Sequence, residues 1–433
     1  MAQTPPSAPA NRQPRPAVDG GGGLEYRVIA EDDLAGVDAV TRAGARGFLM
    51  GEPTDAELAA QRSTIQGRRH IAVFDASLPH PEVPVATVGS WVTDVTVPGG
   101  SAPMWAISAV TVAPTHRRRG IARTMLEREL RDASESGVAL AGLTASEATI
   151  YGRYGFGIAT TGARLTVDTR RAGWVGPETD GRLEFIDREE LAVAMGEVHE
   201  AGRLARPGDV PGWPERWREF AGLAAGEEDG KRVRGVRFVD GSGQLRGALA
   251  YRVYEPETGP TRLDVRFLAA ETPEAEAALW RFAVQYDLVD QVTADHRPVD
   301  DPLPWLVADT RAVSIEGRDF EWLRILDVPA ALTARGYSAP VSVVLDVSDS
   351  HGYAAGAWRL EADASGAATV TSAADSDLPR VSLGVAELSS LYLGGVAVRA
   401  LADAGRVRGP EPALRALAAA LHSWRAPQLS ISY

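Results

Sequence analysis

Residues 110–123 read VTVAPTHRRRGIAR, and the segment that follows, TMLERELRDASES, is apolar at Met125, Leu126 and Leu130 with charges between. With Ile121, that spacing predicts an amphipathic helix starting just after Gly120. Arg117, Arg118 and Arg119 thus stand at a helix N-terminus, where the macrodipole is positive and favours acids over cations. A docked anion removes the conflict, because first-turn N–H groups are unpaired and the dipole adds attraction. A pyrophosphate suits three cations beside Gly120, where no Cβ blocks the backbone. An isolated run of three arginines is more often a solvated basic face. Here a strand-like run, AISAVTVAP (106–114), leads straight into the loop, and that context favours the anion site.

The composition bounds the rest. A chain of 433 residues predicts about three domains, and 45% hydrophobic residues suffice for ordinary cores. A net charge of −13 argues against nucleic acid or an anionic membrane as partner and suits cationic small molecules. The chain has no cysteine, which excludes disulfides, thiolate metal sites and a cysteine nucleophile. Its seven histidines show no pair at helical ligand spacing, so no metal is expected. The Pro- and Gly-rich stretch 1–23 reads as a disordered tail, neither signal peptide nor anchor. No apolar run approaches the roughly 20 residues that span a bilayer. A soluble, cytoplasmic protein is expected.

From Leu24 the chain alternates strand-like and helical runs. LEYRVIA (24–30) reads as a strand and EDDLAGVDAVTRAGARGFL (31–49) as an acid-started helix. HIAVFDA, PVATVGSWVTDVTV and MWAISAVTVAP are strand-like, as is VALAGLTAS beyond the arginine helix. SEATIYGRYGFG (146–157) reads as a short helix and a glycine-rich turn, and TTGARLTVDTR (160–170) as the last strand of this segment. The order predicts an α/β (α+β) fold, a mixed sheet with helices packed on it. Residues 181–312 repeat that order of elements without repeating residues. From about Phe320, alternating strands and two helices suggest a third α+β domain. Its end, RAPQLSISY (425–433), is an exposed-looking tail. The expected domains are 24–170, 171–315 and 316–433.

Strand, Arg117-x-x-Gly120-x-Ala122 and helix, in that order, resemble motif A of the Gcn5-related N-acetyltransferases (GNAT), which bind acetyl-CoA. ASEATIYGRYGFGIAT (145–160), WRFAVQYDLVDQV (280–292), DPLPWLVADTRAV (301–313), WLRILDVPAALTARGY (322–337) and SSLYLGG (389–395) resemble the enhanced-intracellular-survival (Eis) family. The match runs from about residue 25 to 433. The resemblance implies tandem GNAT-fold domains, the second degenerate, and a C-terminal sterol-carrier-like domain. It also implies acetyl-CoA as co-substrate, aminoglycosides and other small amines (with protein lysines a further class) as acceptors, and a homohexamer. The degeneracy has its own sequence sign. The central junction reads Glu271-Thr272-Pro273-Glu274-Ala275-Glu276, where Thr272 and Pro273 make an ordinary helix start and the glutamates repel a pyrophosphate. One cofactor site per chain is expected.

The resemblance assigns roles residue by residue. Main-chain groups of Val110, Thr111 and Val112 would serve pantetheine and thioester, and Arg117, Arg118, Arg119, Gly120, Ile121, Ala122 and Arg123 the phosphates. Ser146 and Glu147 match cofactor contacts; on their own they read as a helix cap with an acidic first turn. Tyr151 matches the general acid, a phenol still protonated at neutral pH. Without the resemblance Tyr154 is an equal candidate, and tyrosines beside such turns more often pack than catalyse. No His–Asp pairing is visible as base. The resemblance assigns that role to the C-terminal carboxylate of Tyr433, a weak base with an ordinary pKa of about 3.5. Chain ends usually fray, but an aromatic last residue after strand-like QLSIS argues for a tucked-in end. Ser432 is uncharged, which leaves the pocket less acidic. Phe48, Glu52, Trp91 and Asp94 flank the acceptor groove of this fold and read as core or surface. Two other functions compete: a hydrophobe carrier with a vestigial transferase half, and an acyltransferase for longer acyl-CoAs or other acceptors.

Overall fold

A computed structural model describes residues 18–19, 23–65, 67–373 and 376–433. The tail expected over 1–23 lies outside these, save for 18–19 and Gly23. The chain divides into two compact units, Met1–Trp91 with Ser108–Leu126, and Val92–Ile107 with Glu127–Tyr433.

In the first unit, β1 (Val18–Asp19), β2 (Leu24–Ile29), β3 (Arg69–Asp75) and the start of β4 (Ala86–Val97) pair antiparallel in that order. Asp33 caps the helix Leu34–Gly47 by accepting the Gly36 N–H. That helix buries Val37 and Val40 with Ile29, Ile65, Ala72 and Phe74. A second helix, Asp55–Ile65, has no counterpart in the sequence reading. Its apolar stripe is thin, with only Leu58 and Ile65 buried, and its start rests on a reciprocal Thr54–Glu57 box.

In the second unit, the Met104–Ile107 part of β5 (Gly100–Val112) pairs parallel with β6 (Leu140–Thr144). The helix Ile121–Glu135, which runs from the first unit into the second, lies between them in the chain. β7 (Gly157–Ile158) follows, then β8 (Thr161–Asp168), β9 (Arg182–Ile186), β10 (Arg234–Val239), β11 (Leu245–Tyr254), β12 (Arg262–Ala270), β13 (Gln291–Pro298) and β14 (Val313–Asp319). A seven-stranded sheet has the order β14-β8-β13-β12-β11-β10-β9. Its β12 and β13 are parallel across the helix Pro273–Val284, the same crossover as β5 to β6. The repeated order of elements is therefore a repeated fold.

Two strands stand elsewhere than the sequence reading put them. β8, expected to close the first segment, pairs with β13 and β14 in the second sheet. β15 (Glu321–Ile325), expected to open the third domain, lies between β6 and β7 and pairs with both. Alternation tells which face a residue takes, not which strand lies beside it.

The third sheet takes β16 (Val341–Ser348), β17 (Gly356–Ala362), β18 (Ala368–Ser372), β19 (Arg380–Gly384) and β20 (Val407–Arg408) in the order β18-β17-β16-β19-β20. Buried Arg335 donates to Tyr392 O and, at 2.9 Å, to Leu421 O, the ends of the helices Val385–Leu391 and Glu411–Leu421. A cation there meets the negative ends of both helices.

The end of the chain is not exposed. Leu429, Ile431 and Tyr433 are 1%, 0% and 7% exposed. The segment forms no strand, yet it alternates like one. Ala426 N donates to Asp300 Oδ2, Gln428 N to Pro207 O, and Ser430 N to Asp209 Oδ1, each at 2.8 Å. Arg216 Nη2 donates to Ser432 O at 2.6 Å. The segments around 206–216 and 296–300 thus replace a partner strand, and the odd positions turn inward. Among the described residues, no helix is long and apolar enough to cross a membrane.

Candidate active site

The strand that leads into the arginine loop is irregular where it matters. Ala109 is left-handed, with φ 52°, and its carbonyl accepts the Thr87 hydroxyl at 2.8 Å. Thr87 also meets buried Thr111, Oγ1 to Oγ1, at 2.9 Å. This left-handed residue stands one position before Val110–Val112, and irregularity of that kind disturbs a strand locally. Val110 and Val112 are half-buried. At Gly47 a Cβ would stand 2.5 Å from Thr111 Cβ, so only glycine lets that helix end reach the strand.

A short turn, Pro114–His116, buries His116 and presents the arginines. His116 Nε2 lies 3.1 Å from Asp75 Oδ2, and its Nδ1 2.8 Å from Thr115 Oγ1. Arg119 Nη1 donates to the same Asp75 oxygen at 3.2 Å. Asp75 also accepts the Ser77 N–H and hydroxyl. The Ser77 hydroxyl and N–H, with His116 and Arg119 adding, hold the Asp75 carboxyl well below the usual range against burial. Asp75 is therefore a permanent anion under the loop.

The three arginines are consequently unequal. Arg119 is tied to Asp75, whereas Arg117 and Arg118, both exposed, make no ion pair with the other described residues. Arg118 is left-handed at φ 63° and Gly120 at φ 81°. A non-glycine residue held there is strained, and alternating handedness turns successive N–H groups into an anion-binding concavity. The helix Ile121–Glu135 then opens with no acid in its first turn, with Ala122 half-buried and Arg123 exposed.

In the second unit Tyr151 ends the short helix Ala148–Tyr151, followed by the 3-10 turn Gly152–Tyr154 and left-handed Gly155 at φ 85°. Its ring meets Phe156 edge-on, with centroids 6.2 Å apart. Burial first, then the charge of Glu147 and the Tyr154 phenol, raise the Tyr151 pKa, so the phenol keeps its proton at neutral pH. The helix-cap reading of Ser146 and Glu147 does not hold. Glu147 is the N-cap residue, its side chain makes no capping bond, and the first turn carries no acid. The Tyr154 ring also lies 5.9 Å from that of His351.

What holds this turn was not visible in the sequence. Arg324 on β15 is fully buried, donates Nε to Tyr154 O at 2.7 Å, and pairs with Asp349 at 2.7 Å. A Cβ at Gly155 would lie 2.5 Å from Arg324 Nε, so glycine is required there by both space and φ.

Tyr433 is buried at its ring. The phenol donates to Glu321 Oε1 at 2.9 Å and lies 3.9 Å from Met104 Sδ. A Cβ at Gly142 would stand 2.8 Å from the Tyr433 hydroxyl. A glycine inside a strand often marks such a close approach, and Gly142 in VALAGLTAS was the one local sign of it.

The second junction is chemically the reverse of the first. Thr272 accepts the Ala275 N–H at 3.2 Å, and Glu274 and Glu276 occupy the first turn. Glu276 turns inward to Arg297, which also holds Asp301 at 2.7 Å. Nothing in this start favours a phosphate.

The sequence pattern of an acetyltransferase (GNAT) domain matches residues 25–159, a second such domain matches 208–325, and a sterol carrier protein domain matches 328–430. An uncharacterized N-acetyltransferase of Streptomyces avermitilis is 36% identical over 92% of this chain and 96% of its own. The N-acetyltransferase Eis of Mycobacterium tuberculosis is 34% identical over 87% of this chain and 91% of its own. Among solved structures, Eis1 from Mycobacterium abscessus superposes with a TM-score of 0.78 at 30% identity, covering 95% of this chain and all of the other. A GCN5-related N-acetyltransferase from Kribbella flavida reaches 0.70 at 26% identity, covering 95% and 98%.

Proposed function

Because the chain is an N-acetyltransferase of the Eis family, with two GNAT domains and a sterol-carrier-like third, we propose that it acetylates amino groups of small polyamine-like molecules such as aminoglycosides, as a cytoplasmic homohexamer. The observation that carries the donor side is the turn from Arg117 to Gly120, left-handed twice and opening an acid-free helix. Arg117, Arg118 and the N–H groups of Gly120, Ile121 and Ala122 would hold the diphosphate of acetyl-CoA. Val110 to Val112 would hold its amide arm, and Arg123, Ser146 and Glu147 would complete the contacts. Acetyl-CoA supplies an acetyl group already activated as a thioester. Arg119 serves through Asp75, as a support for the loop.

Tyr151 acts as general acid, giving its phenolic proton to the departing thiolate. The carboxylate of Tyr433 acts as base, binding the ammonium of the acceptor and taking its proton, directly or through water. The buried, hydrogen-bonded tail supports this reading, since a frayed end could not hold a base in register. The uncharged Ser432 beside it favours acceptors of lower positive charge than an acidic pocket would.

The test is thiol release from acetyl-CoA and longer acyl-CoAs against kanamycin, spermidine and a lysine peptide. It is run on untagged protein, protein with a short N-terminal tag, and protein extended beyond Tyr433. Turnover is expected with acetyl-CoA and an aminoglycoside, unaffected by the N-terminal tag and lost on C-terminal extension while acetyl-CoA still binds. Equal rates in all three proteins remove the carboxylate as base. Turnover with the lysine peptide alone moves the acceptor class to proteins.

A further inference from the structure

β15 brings Glu321 into the interior at the foot of Tyr433. The residue is fully buried, its N–H donates to Thr160 Oγ1 at 3.0 Å, and its Oε1 accepts the Tyr433 phenol at 2.9 Å. Its second oxygen is buried with no hydrogen-bond partner among the described residues. A carboxyl placed so deep costs more than a well-packed apolar side chain of its size. Among the described residues no ion pair offsets that cost. What the carboxyl does accomplish is to fix the far end of the last side chain.

The near end is fixed as well. Arg216 Nη2 holds Ser432 O at 2.6 Å, and its guanidinium is 5.1 Å from the Trp213 ring centroid and 5.7 Å from that of Phe220. Asp209 holds Ser430 through both N–H and hydroxyl at 2.8 Å. A tyrosine side chain has two torsions. With peptide 432 pinned on one side and the phenol on the other, the Cα and the carboxylate it carries have little freedom left. Gly142 leaves the room that the phenol occupies.

We infer that Glu321 is a positioning residue for the base: through the Tyr433 phenol, and with Arg216 on the preceding peptide, it sets where the terminal carboxylate stands. This rests on the proposed role of that carboxylate. Displacing a catalytic group by about 1 Å can cost about 10²-fold in rate, so the hydrogen bond should be read in kcat rather than in cofactor binding.

The experiment compares Tyr433→Phe, Glu321→Leu and Glu321→Gln with the parent and with the C-terminally extended protein, using acetyl-CoA and the best amine of the panel. Tyr433→Phe keeps ring and carboxylate and loses only the anchor. It is expected to lower kcat by about 10²-fold with the KM for acetyl-CoA unchanged. Glu321→Leu should match it. Glu321→Gln, whose amide oxygen still accepts the phenol, should return kcat to within a few-fold of the parent. A merely structural role would instead lower the melting temperature of both Glu321 variants without this split. Parental kcat in Tyr433→Phe, alongside loss of turnover on extension, overturns the inference and leaves the carboxylate as base. Full turnover in the extended protein overturns both.

Discussion

The two strand-to-helix junctions of the GNAT copies share a crossover and oppose each other in charge. At Val112–Ile121 the backbone turns left-handed at Arg118 and Gly120, and two arginines face outward without ion pairs among the described residues. At Ala270–Pro273 the helix is capped by Thr272, and its first-turn Glu276 is neutralised inward by Arg297. One junction keeps strain and unpaired charge; the other has resolved both. Strain persists where a ligand repays it. The second copy, with its capped junction, has a different task, since its segments around 206–216 and 296–300 hold the end of the chain.

The contrast can be attacked from several sides. The largest effect is expected at Tyr151, which follows β6; the helix after β13, Leu303–Leu306, contains no tyrosine. Tyr151→Phe should lower kcat by about 10²–10⁴-fold and leave acetyl-CoA affinity intact. Steady-state kinetics with calorimetry checks this, and damage from Tyr154→Phe instead would move the acid. Next comes Arg118→Ala, which removes a charge-assisted contact of about 1.5–3 kcal/mol. Acetyl-CoA should bind about 10–150-fold more weakly, with a stoichiometry of one in the parent. Two sites per chain, or unchanged affinity in the variant, would erase the difference between the junctions.

A smaller effect concerns stability. Burial pushes the Glu321 carboxyl up to about 8, with the Tyr433 bond opposing and the charge of Asp209 adding. Unfolded, it titrates near about 4.3. Between those values the folded chain keeps a proton that the unfolded chain has released, so this contribution to stability is lost as pH rises. From pH 5 to pH 8 the melting temperature of the parent should therefore fall more than that of Glu321→Gln. The smallest effect belongs to the resolved junction. Thr272→Ala should cost about 1 kcal/mol of stability through the lost cap and leave acetyl-CoA affinity unchanged.

What the sequence disclosed follows from how local each feature is. The arginine loop lies within four residues, and helix periodicity placed it at an N-terminus, where the structure has it. Thr272 and the glutamates were readable for the same reason. The Tyr151 turn was legible as a short helix and glycine turn, but its support, Arg324, sits on a strand whose neighbours no periodicity could name. Asp75 and His116 are 41 positions apart, and Glu321 and Tyr433 are 112 apart. Pairs of that kind depend on sheet order, which alternation does not encode. The tail was legible in part: its strand-like alternation pointed to a tucked-in end, as found, but side chains and loops rather than a ladder satisfy it.

The exchange of β8 and β15 has a consequence for how the chain is made and how it can be cut. β6 remains without β15 beside it until the whole second copy has left the ribosome, so its edge Leu140–Thr144 stays open through much of synthesis. An unpaired apolar edge of that kind invites association with other chains. A fragment cut at 159, where the first acetyltransferase match ends, would carry that open edge permanently and surrender Arg324 from beneath the Tyr151 turn. The two GNAT copies are thus interlocked through their strands. Neither can be excised, shuffled or expressed as a module without taking a strand from the other.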